Sequence, residues 1–97
     1  MIARASAQWT PYAIVDDAGS SRRLLKVSVD FEAPVVAGSR LILLGPQGEA
    51  LGEEVVPVGR HEGWSCGFWV GTAGLGAGAW RLALTAGERI VAERALL

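Results

Sequence analysis

The sequence predicts an all-β domain, an antiparallel β-sandwich of about seven short strands. Thirteen glycines and four prolines interrupt the 97 residues at short intervals. Between them, several stretches alternate apolar and polar residues with a period of two, which is the pattern of a half-buried strand. These stretches recur roughly every 10 residues, a spacing that is typical of β-sandwiches.

The first two predicted strands lie on either side of a polar turn. Gln8–Val15 contains Pro11 and is predicted to form an edge strand, and Asp16–Ser20 closes it as a turn. The second strand, Leu25–Glu32, shows the clearest alternation and therefore predicts one buried face and one face in water. Its predicted inward residues are Leu25, Val27, Val29 and Phe31.

The middle of the sequence predicts a central strand and an edge strand. Arg40–Leu44 is apolar on both faces, which indicates a central position. Gly45–Gly48 fits a type I turn, with proline second and glycine fourth. Glu49–Val58 resumes an extended pattern, and Pro57 favours an edge because proline cannot donate to a central ladder. The core candidates in this segment are Val55, Val56 and Val58.

The last three predicted strands follow the same logic. Trp64–Val70 alternates, Gly71–Gly78 is a glycine-rich connection, and Trp80–Thr85 alternates again. The composition of Arg89–Leu97 favours a helix. Its position just after the short turn Ala86–Glu88 favours the second arm of a hairpin, and we predict the strand with the helix left open. The predicted inward residues are Trp64, Cys66, Phe68, Val70, Trp80, Leu82 and Leu84.

A local motif adds a resemblance. The segment from Leu75 to Trp80 reads L-x-x-G-x-W and resembles the L-x-x-G-x-Y entry into the penultimate strand of immunoglobulin-like and fibronectin-type domains. The resemblance implies an immunoglobulin-like sandwich in which Trp80 stands where those domains have a corner tyrosine. An indole donates only through its N–H, so the corner would need a different hydrogen bond. The resemblance implies a fold and says nothing of function.

Length and charge exclude several classes of function. A chain of 97 residues predicts one domain, 1–97, and a composition of 51% hydrophobic and 20% charged residues excludes disorder. Nine basic and ten acidic residues give no net attraction to nucleic acid or to anionic membranes. The sequence shows no apolar run near the ~18 residues of a membrane span and no signal-peptide pattern, so we expect a cytoplasmic protein.

Two glycine motifs match strings found in catalytic or phosphate-binding sites but lack other features that those sites need. Gly63–Gly67 matches the G-x-S-x-G nucleophile elbow around Ser65. That elbow needs a strand-to-helix turn and a later histidine, whereas this pattern continues as a strand and His61 precedes the serine. Gly74–Gly78 lacks the lysine that phosphate-binding loops use. We therefore predict no catalytic residue in either motif.

Metal, cofactor and redox chemistry are equally disfavoured. One histidine and one cysteine cannot supply a multi-cysteine or histidine-rich metal centre. Glu53 and Glu54 are adjacent in a predicted strand and would point to opposite faces, away from a common ligand set with His61. Cys66 lies on an apolar face and is predicted to be a buried, inert side chain. We expect no metal, no cofactor and no enzymatic activity.

The tryptophans and the apolar character of the chain favour protein contacts. Trp64 and Trp80 are predicted core residues, whereas Trp69 faces the other way and Trp9 lies on an edge strand. For Trp69 the alternatives are packing within the domain, a protein interface and a platform for a ligand. Exposed aromatic side chains commonly anchor protein interfaces. The mean hydropathy of +0.31 is high for so small a domain. Strands with two apolar faces must either be covered on both sides or meet another subunit.

We therefore predict a non-enzymatic structural or protein-interaction module, either an oligomer or a small subunit of a larger assembly. Its partner would be a second copy or another protein. The predicted interface residues are Trp9, Tyr12, Trp69, Leu96 and Leu97. The alternative is a small-molecule or glycan-binding module in which Trp69 stacks on the ligand. Its polar partners would be Asp30, Glu32 or Arg81.

Overall fold

The computed structural model describes residues 1–71 and 80–96, and these residues form strands and no helix. The all-β prediction is confirmed. The described strands are β1 (Ile2–Val15), β2 (Ser21–Phe31), β3 (Ser39–Leu44), β4 (Ala50–Val55), β5 (Trp64–Gly71), β6 (Trp80–Ala86) and β7 (Arg89–Leu96).

The strands form two antiparallel sheets that face each other across one hydrophobic core. Sheet A has the strand order β1-β2-β5, and sheet B has the order β4-β3-β6-β7. Buried side chains from both sheets belong to a single apolar cluster. Strands β1 and β5 are therefore the edges of sheet A, and β4 and β7 are the edges of sheet B. This arrangement is the predicted β-sandwich.

Strand β2 supplies the centre of sheet A, as its alternation predicts. Its inward side chains are all buried: Leu25, Val27, Val29 and Phe31. Antiparallel pairing with β5 places the predicted inward residues of that strand beside them: Trp64, Cys66, Phe68 and Val70. The opposite face of β2 carries the polar residues Lys26, Ser28 and Asp30, which is the pattern of a face in water.

Strand β3 lies in the interior of sheet B, between β4 and β6, which confirms the prediction from its two apolar faces. Leu41 and Leu43 are fully buried between the sheets. Ile42 and Leu44 point to the outer face of sheet B and are half-buried there. The residues that the structure describes place no third layer over this face.

Strand β4 is an edge strand, as predicted, but two of its three core candidates were wrong. Val56 is 2% exposed and belongs to the core. Val55 is 63% exposed because it pairs with Arg40 and so points to the outer face of sheet B. Val58 is 68% exposed because the chain has left the ladder before Pro57 and continues as a loop.

The last segment is a strand, which resolves the choice that the sequence left open. Strand β7 pairs antiparallel with β6 through a tight turn at Gly87, whose φ of 62° is in the left-handed region that favours glycine. The hairpin buries Ala92 and Leu96 against the core. This burial outweighs the helical preference of the Ala, Glu, Arg and Leu residues in the segment.

Two predictions fall at the limits of the described chain. The connection predicted over Gly71–Gly78 lies outside the described residues from residue 72 onward, and so does the part of the L-x-x-G-x-W motif that precedes Trp80. Trp80 itself opens β6. At the other end of the molecule, β1 begins at Ile2, earlier than the predicted Gln8, and extends the edge of sheet A.

Candidate functional site

Trp69 lies on the outer face of sheet A, near the end of the edge strand β5, and is 39% exposed. The neighbouring residues on its strand and face are Gly67 and Gly71, so no side chain covers the indole along the strand. Its cross-strand partner is Leu24. A Cβ built on Gly67 would lie 2.8 Å from Cδ1 of Leu24, so this leucine occupies the space that the glycine leaves. Leu24 and Trp69 thus form an apolar pair at the end of a face whose middle carries the polar residues Lys26, Ser28 and Asp30.

Trp69 also lines an open groove of about 600 Å³ at the edge of the sandwich. The turn between β1 and β2 and the first residues of β2, including Arg22, line the groove together with Ala50 and Leu51 from the start of β4. The groove therefore combines an indole, a guanidinium and aliphatic side chains. Tryptophan and arginine are enriched among the residues that dominate the energy of protein–protein binding.

A bulge in β1 brings Tyr12 to the same end of sheet A. The pairing of β1 with β2 shifts between Trp9 and Ala13. The Thr10 hydroxyl donates to the Leu24 carbonyl oxygen at 2.9 Å and holds the bulge against β2. Tyr12 is 64% exposed. The bulge and Trp69 therefore lie on opposite sides of Leu24 in β2. Ile14, which is also exposed, extends the apolar surface toward the turn between β1 and β2.

Trp9 is on the inner side of the sheet, where it has a structural role, and 36% of it remains exposed. Its ring meets that of Trp80 edge to face, with centroids 5.9 Å apart. The Arg23 guanidinium lies 5.6 Å from the centroid of the Trp9 ring. Trp9 therefore joins the two sheets at one end of the sandwich.

The structure does not show either of the two C-terminal residues of the predicted interface on an exposed surface. Leu96 is 7% exposed and packs into the core, so it offers a partner very little surface. Leu97 lies outside the described residues. Of the five predicted interface residues, Tyr12 and Trp69 are exposed at the same end of sheet A, and Trp9 is 36% exposed on the inner side of that sheet.

The polar partners proposed for a sugar ligand do not gather around Trp69. Asp30 shares the outer face of sheet A, but it is six residues along β2 from Leu24, or about 20 Å at the rise of a strand. Its carboxylate accepts the backbone N–H of Gly63 at 2.8 Å. Arg81 belongs to sheet B, and Glu32 follows the end of β2.

One feature of this face was missed from the sequence. Ser6, Ser28 and Ser65 are direct cross-strand neighbours and form a row of exposed serines across sheet A. They form the floor of a shallow depression of about 280 Å³ beside Arg4 and Lys26. No local signal predicts such a row, because it depends on the register of three strands.

The thiol of Cys66 is poorly suited to nucleophilic chemistry. Burial, with a smaller contribution from the carboxylate of Glu54, raises the pKa of Cys66 to about 12. The thiol is therefore protonated near neutral pH, and the thiolate is the reactive form.

The other residues with reactive or metal-binding side chains are also dispersed. Ser65 lies within β5 and not on a strand-to-helix turn. Within residues 1–71 and 80–96, no three His, Cys, Asp or Glu side chains lie close enough together to hold a metal ion. Glu53 instead forms an ion pair with Arg40 at 2.6 Å.

Neither a membrane-spanning helix in the described residues nor a similar protein indicates what this surface binds. The described part of the chain contains no helix with the length and hydropathy needed to cross a bilayer. Comparison of the chain with protein-family models, with curated proteins and with solved structures found no match.

Proposed function

We propose that this protein acts by binding another protein, without catalysis, through the outer surface of sheet A around Trp69. The observation that carries the proposal is the exposed indole of Trp69, paired with Leu24 and placed beside Arg22 at an open groove. We call these three residues, with Tyr12 and Ile14, the Trp69 surface.

The composition of the Trp69 surface suits a protein partner better than a small polar ligand. An interface typically has an aromatic or arginine anchor that a partner desolvates, surrounded by contacts of little individual energy. Trp69 and Arg22 fit the role of anchors, and Leu24 provides an apolar floor beside them. Of the polar partners predicted for a sugar, Asp30 lies about 20 Å away along β2, and the polar residues at the groove itself are Ser20, Ser21 and Arg22.

The fold and the compartment belong to the same proposal. We propose that the sandwich is immunoglobulin-like. In immunoglobulin constant-type domains the first, second and fifth strands share one sheet, and the third, sixth and seventh share the other. The strand order here follows that division, with β4 joined to β3. The lone cysteine supports a reducing compartment such as the cytoplasm.

The test compares Trp69→Ala with Ser65→Ala, a matched change on the same strand and face. Each variant and the wild type would be immobilised and exposed to an extract of the source cells, with bound proteins quantified by mass spectrometry. We expect at least one protein to bind the wild type and Ser65→Ala and to lose at least ~10-fold of its binding to Trp69→Ala, because truncation of an anchor commonly costs about 2 kcal/mol or more.

The captured protein is then purified and titrated against the same three chains. A dissociation constant that Trp69→Ala leaves unchanged contradicts the proposal. A capture profile that is identical for all three chains contradicts it as well. Circular dichroism of each variant establishes that the fold is retained in the comparison.

A further inference from the structure

The outer face of sheet B has an apolar centre, unlike the outer face of sheet A. Its middle strands contribute Ile42 and Leu44, which are half-buried, and Ala83, which neighbouring side chains of the same chain already cover completely. A sheet face that stays in water normally alternates to polar residues, as β2 does in sheet A. The centre of this face is therefore composed like the dry centre of an interface.

Four charged residues surround this apolar centre in a fixed pattern, and they form two ion pairs within the chain, Arg40 with Glu53 at 2.6 Å and Arg81 with Glu93 at 3.7 Å. The central row runs across the four strands as Glu53, Ile42, Ala83 and Glu93, because these residues are successive cross-strand partners. The two glutamates are thus on the two edge strands. Arg40 lies on β3 on one side of this row, and Arg81 lies on β6 on the other side.

The spacing of strands shows that the two glutamates and the two arginines lie at the four ends of a cross, which we call the cross of charges. Neighbouring strands are about 4.8 Å apart, so the two glutamates lie about 14 Å apart across the sheet. Arg40 and Arg81 are separated by one strand and by four residue positions along the strands, which is also about 14 Å. The line between the arginines crosses the line between the glutamates at the centre of the face, at a steep angle.

We infer that a second copy of this chain packs on the outer face of sheet B, with its strands turned by about 90° relative to the first. The two-fold axis lies in the face at about 45° to the strands. This rotation brings each glutamate of one copy within about 3 Å, in projection, of an arginine of the other copy. Each ion pair of one copy then lies against an ion pair of the other copy with the charges reversed, so each glutamate gains a second arginine, and the apolar centres meet.

The aligned alternatives are disfavoured by the same four charges. When the strands of the two copies run along a common direction, Glu53 of one copy faces a glutamate of the other. Orthogonal packing is one of the two common ways in which sheets pack face to face, and here it is the one that avoids like charges. The inference concerns a surface separate from the Trp69 surface and goes beyond the proposed function.

The two-fold axis can run along either diagonal of the face, and both arrangements place opposite charges of the two copies together. Each arrangement also brings one exposed apolar residue onto the axis. Ile90 pairs with Thr85 and Val55 pairs with Arg40, so the two side chains occupy neighbouring corners of the outer face. Both are more than half exposed. In one arrangement Ile90 meets its own copy, and in the other Val55 does.

The size of the face sets the expected affinity. Four strands span about 19 Å, and the charged rows span about 14 Å along the strands, so the patch is smaller than a standard interface of about 800 Å² per partner. We expect a dimer that dissociates in the micromolar range and that weakens at high salt, because its specificity comes from ion pairs.

Light scattering after size exclusion, from 10 μM to 1 mM, tests the inference. The wild type should rise from 10.2 kDa toward twice that mass. The variant Glu53→Arg/Glu93→Arg and the variant Arg40→Glu/Arg81→Glu should each stay monomeric, with at least ~10-fold weaker self-association. An equimolar mixture of the two variants should restore the dimer, because each then supplies the charge that the other lacks.

Matched controls separate this interface from the Trp69 surface. Trp69→Ala and Lys26→Glu, both on the outer face of sheet A, should leave the dimer intact, so failure of one proposal does not imply failure of the other. Ile90→Cys or Val55→Cys should form a disulfide-linked dimer on oxidation, and whichever does so identifies the arrangement. Val36→Cys, an exposed residue in the loop before β3, should not.

Three results would overturn the inference of a dimer through the outer face of sheet B. A wild type that remains at 10.2 kDa up to 1 mM overturns the inference. So does a dimer that persists in both charge-reversed variants, or a mixture of the two variants that stays monomeric. Circular dichroism of the variants confirms that a monomer in these experiments is a folded one.

Discussion

Trp9 and Trp80 meet edge to face between the two sheets, with ring planes inclined at 77° and centroids 5.9 Å apart. Trp9 comes from the edge strand of sheet A, and Trp80 opens β6 of sheet B. Edge-to-face pairs of this kind are favourable because the positive edge of one ring faces the negative face of the other. The pair is therefore a direct link between the sheets at one end of the sandwich.

We expect Trp9→Ala to lower the free energy of unfolding by roughly 2–3 kcal/mol, the low end for a large-to-small core change, because the ring is partly exposed. A double-mutant cycle with Trp80→Ala should give a coupling of about 0.5–1.5 kcal/mol. Urea denaturation monitored by circular dichroism measures both. Trp69→Ala is the control and should cost less than ~1 kcal/mol, and a Trp9 variant as mild as this control would refute the structural role.

The two glycines of edge strands β4 and β5 should respond differently to alanine. A Cβ on Gly52 would lie 2.6 Å from Cδ1 of Phe68, a rigid ring buried between the sheets. We expect Gly52→Ala to cost about 1–3 kcal/mol by overpacking. A Cβ on Gly67 meets only a methyl of Leu24 on the outer face, which can rotate away, so Gly67→Ala should cost less than ~1 kcal/mol. Thermal and urea unfolding measure both costs. An equal loss of unfolding free energy in Gly52→Ala and Gly67→Ala would show that the core near Gly52 can relax.

The three valines near the end of β4 provide a test of the register. Val56 is buried, whereas Val55 and Val58 are exposed. We expect Val56→Ala to lower the free energy of unfolding by about 1–3 kcal/mol, through lost burial and a cavity. Val55→Ala and Val58→Ala should change it by no more than about 0.5 kcal/mol. The opposite ranking in urea unfolding would mean that β4 is shifted by one residue.

The thiol of Cys66 should make stability depend on pH at the alkaline end. Its pKa is raised to about 12 in the folded chain, chiefly by burial, against about 8.5 for an unfolded cysteine. The folded state holds the proton more tightly, so this contribution to stability is fully present below about pH 8.5 and is lost as pH rises toward 12. Stability of the wild type should therefore fall faster than that of Cys66→Ala over this interval.

A chemical measurement checks the same group. At pH 8 the folded protein should react with a thiol reagent at least ~100-fold more slowly than the urea-unfolded protein, since the thiolate is the reactive species. Similar rates for the two states, or parallel stability curves for the wild type and Cys66→Ala, would mean that the thiol is not held in its protonated form by burial.

Part of the candidate site was predictable because alternation is a local property. The pattern of Trp64–Val70 assigns Trp69 to the face opposite Phe68, and the structure places Trp69 on the outer face of sheet A. Leu96 shows the limit of this reasoning. Its place at the end of an apolar segment predicts an exposed contact, yet the hairpin turns it into the core.

Local patterns in the sequence are sufficient to identify the class of fold, the strands and the faces of most of the strands. Period-two alternation and turn-forming residues act over a few positions, so they can be recognised without knowledge of the partner strand. The same information placed β3 in the interior of its sheet, since Arg40–Leu44 is apolar on both faces.

The orientation of each aromatic residue and the grouping of charges on one face depend on how distant strands pair and pack. Trp9 and Trp69 both lie on edge strands, yet Trp9 joins the sheets through Trp80, 71 positions further along the chain, whereas Trp69 faces outward. The row of three serines on sheet A and the cross of charges on sheet B likewise depend on strand order and register. A period of two is the same for every pairing, so it carries no information on which distant strands become neighbours.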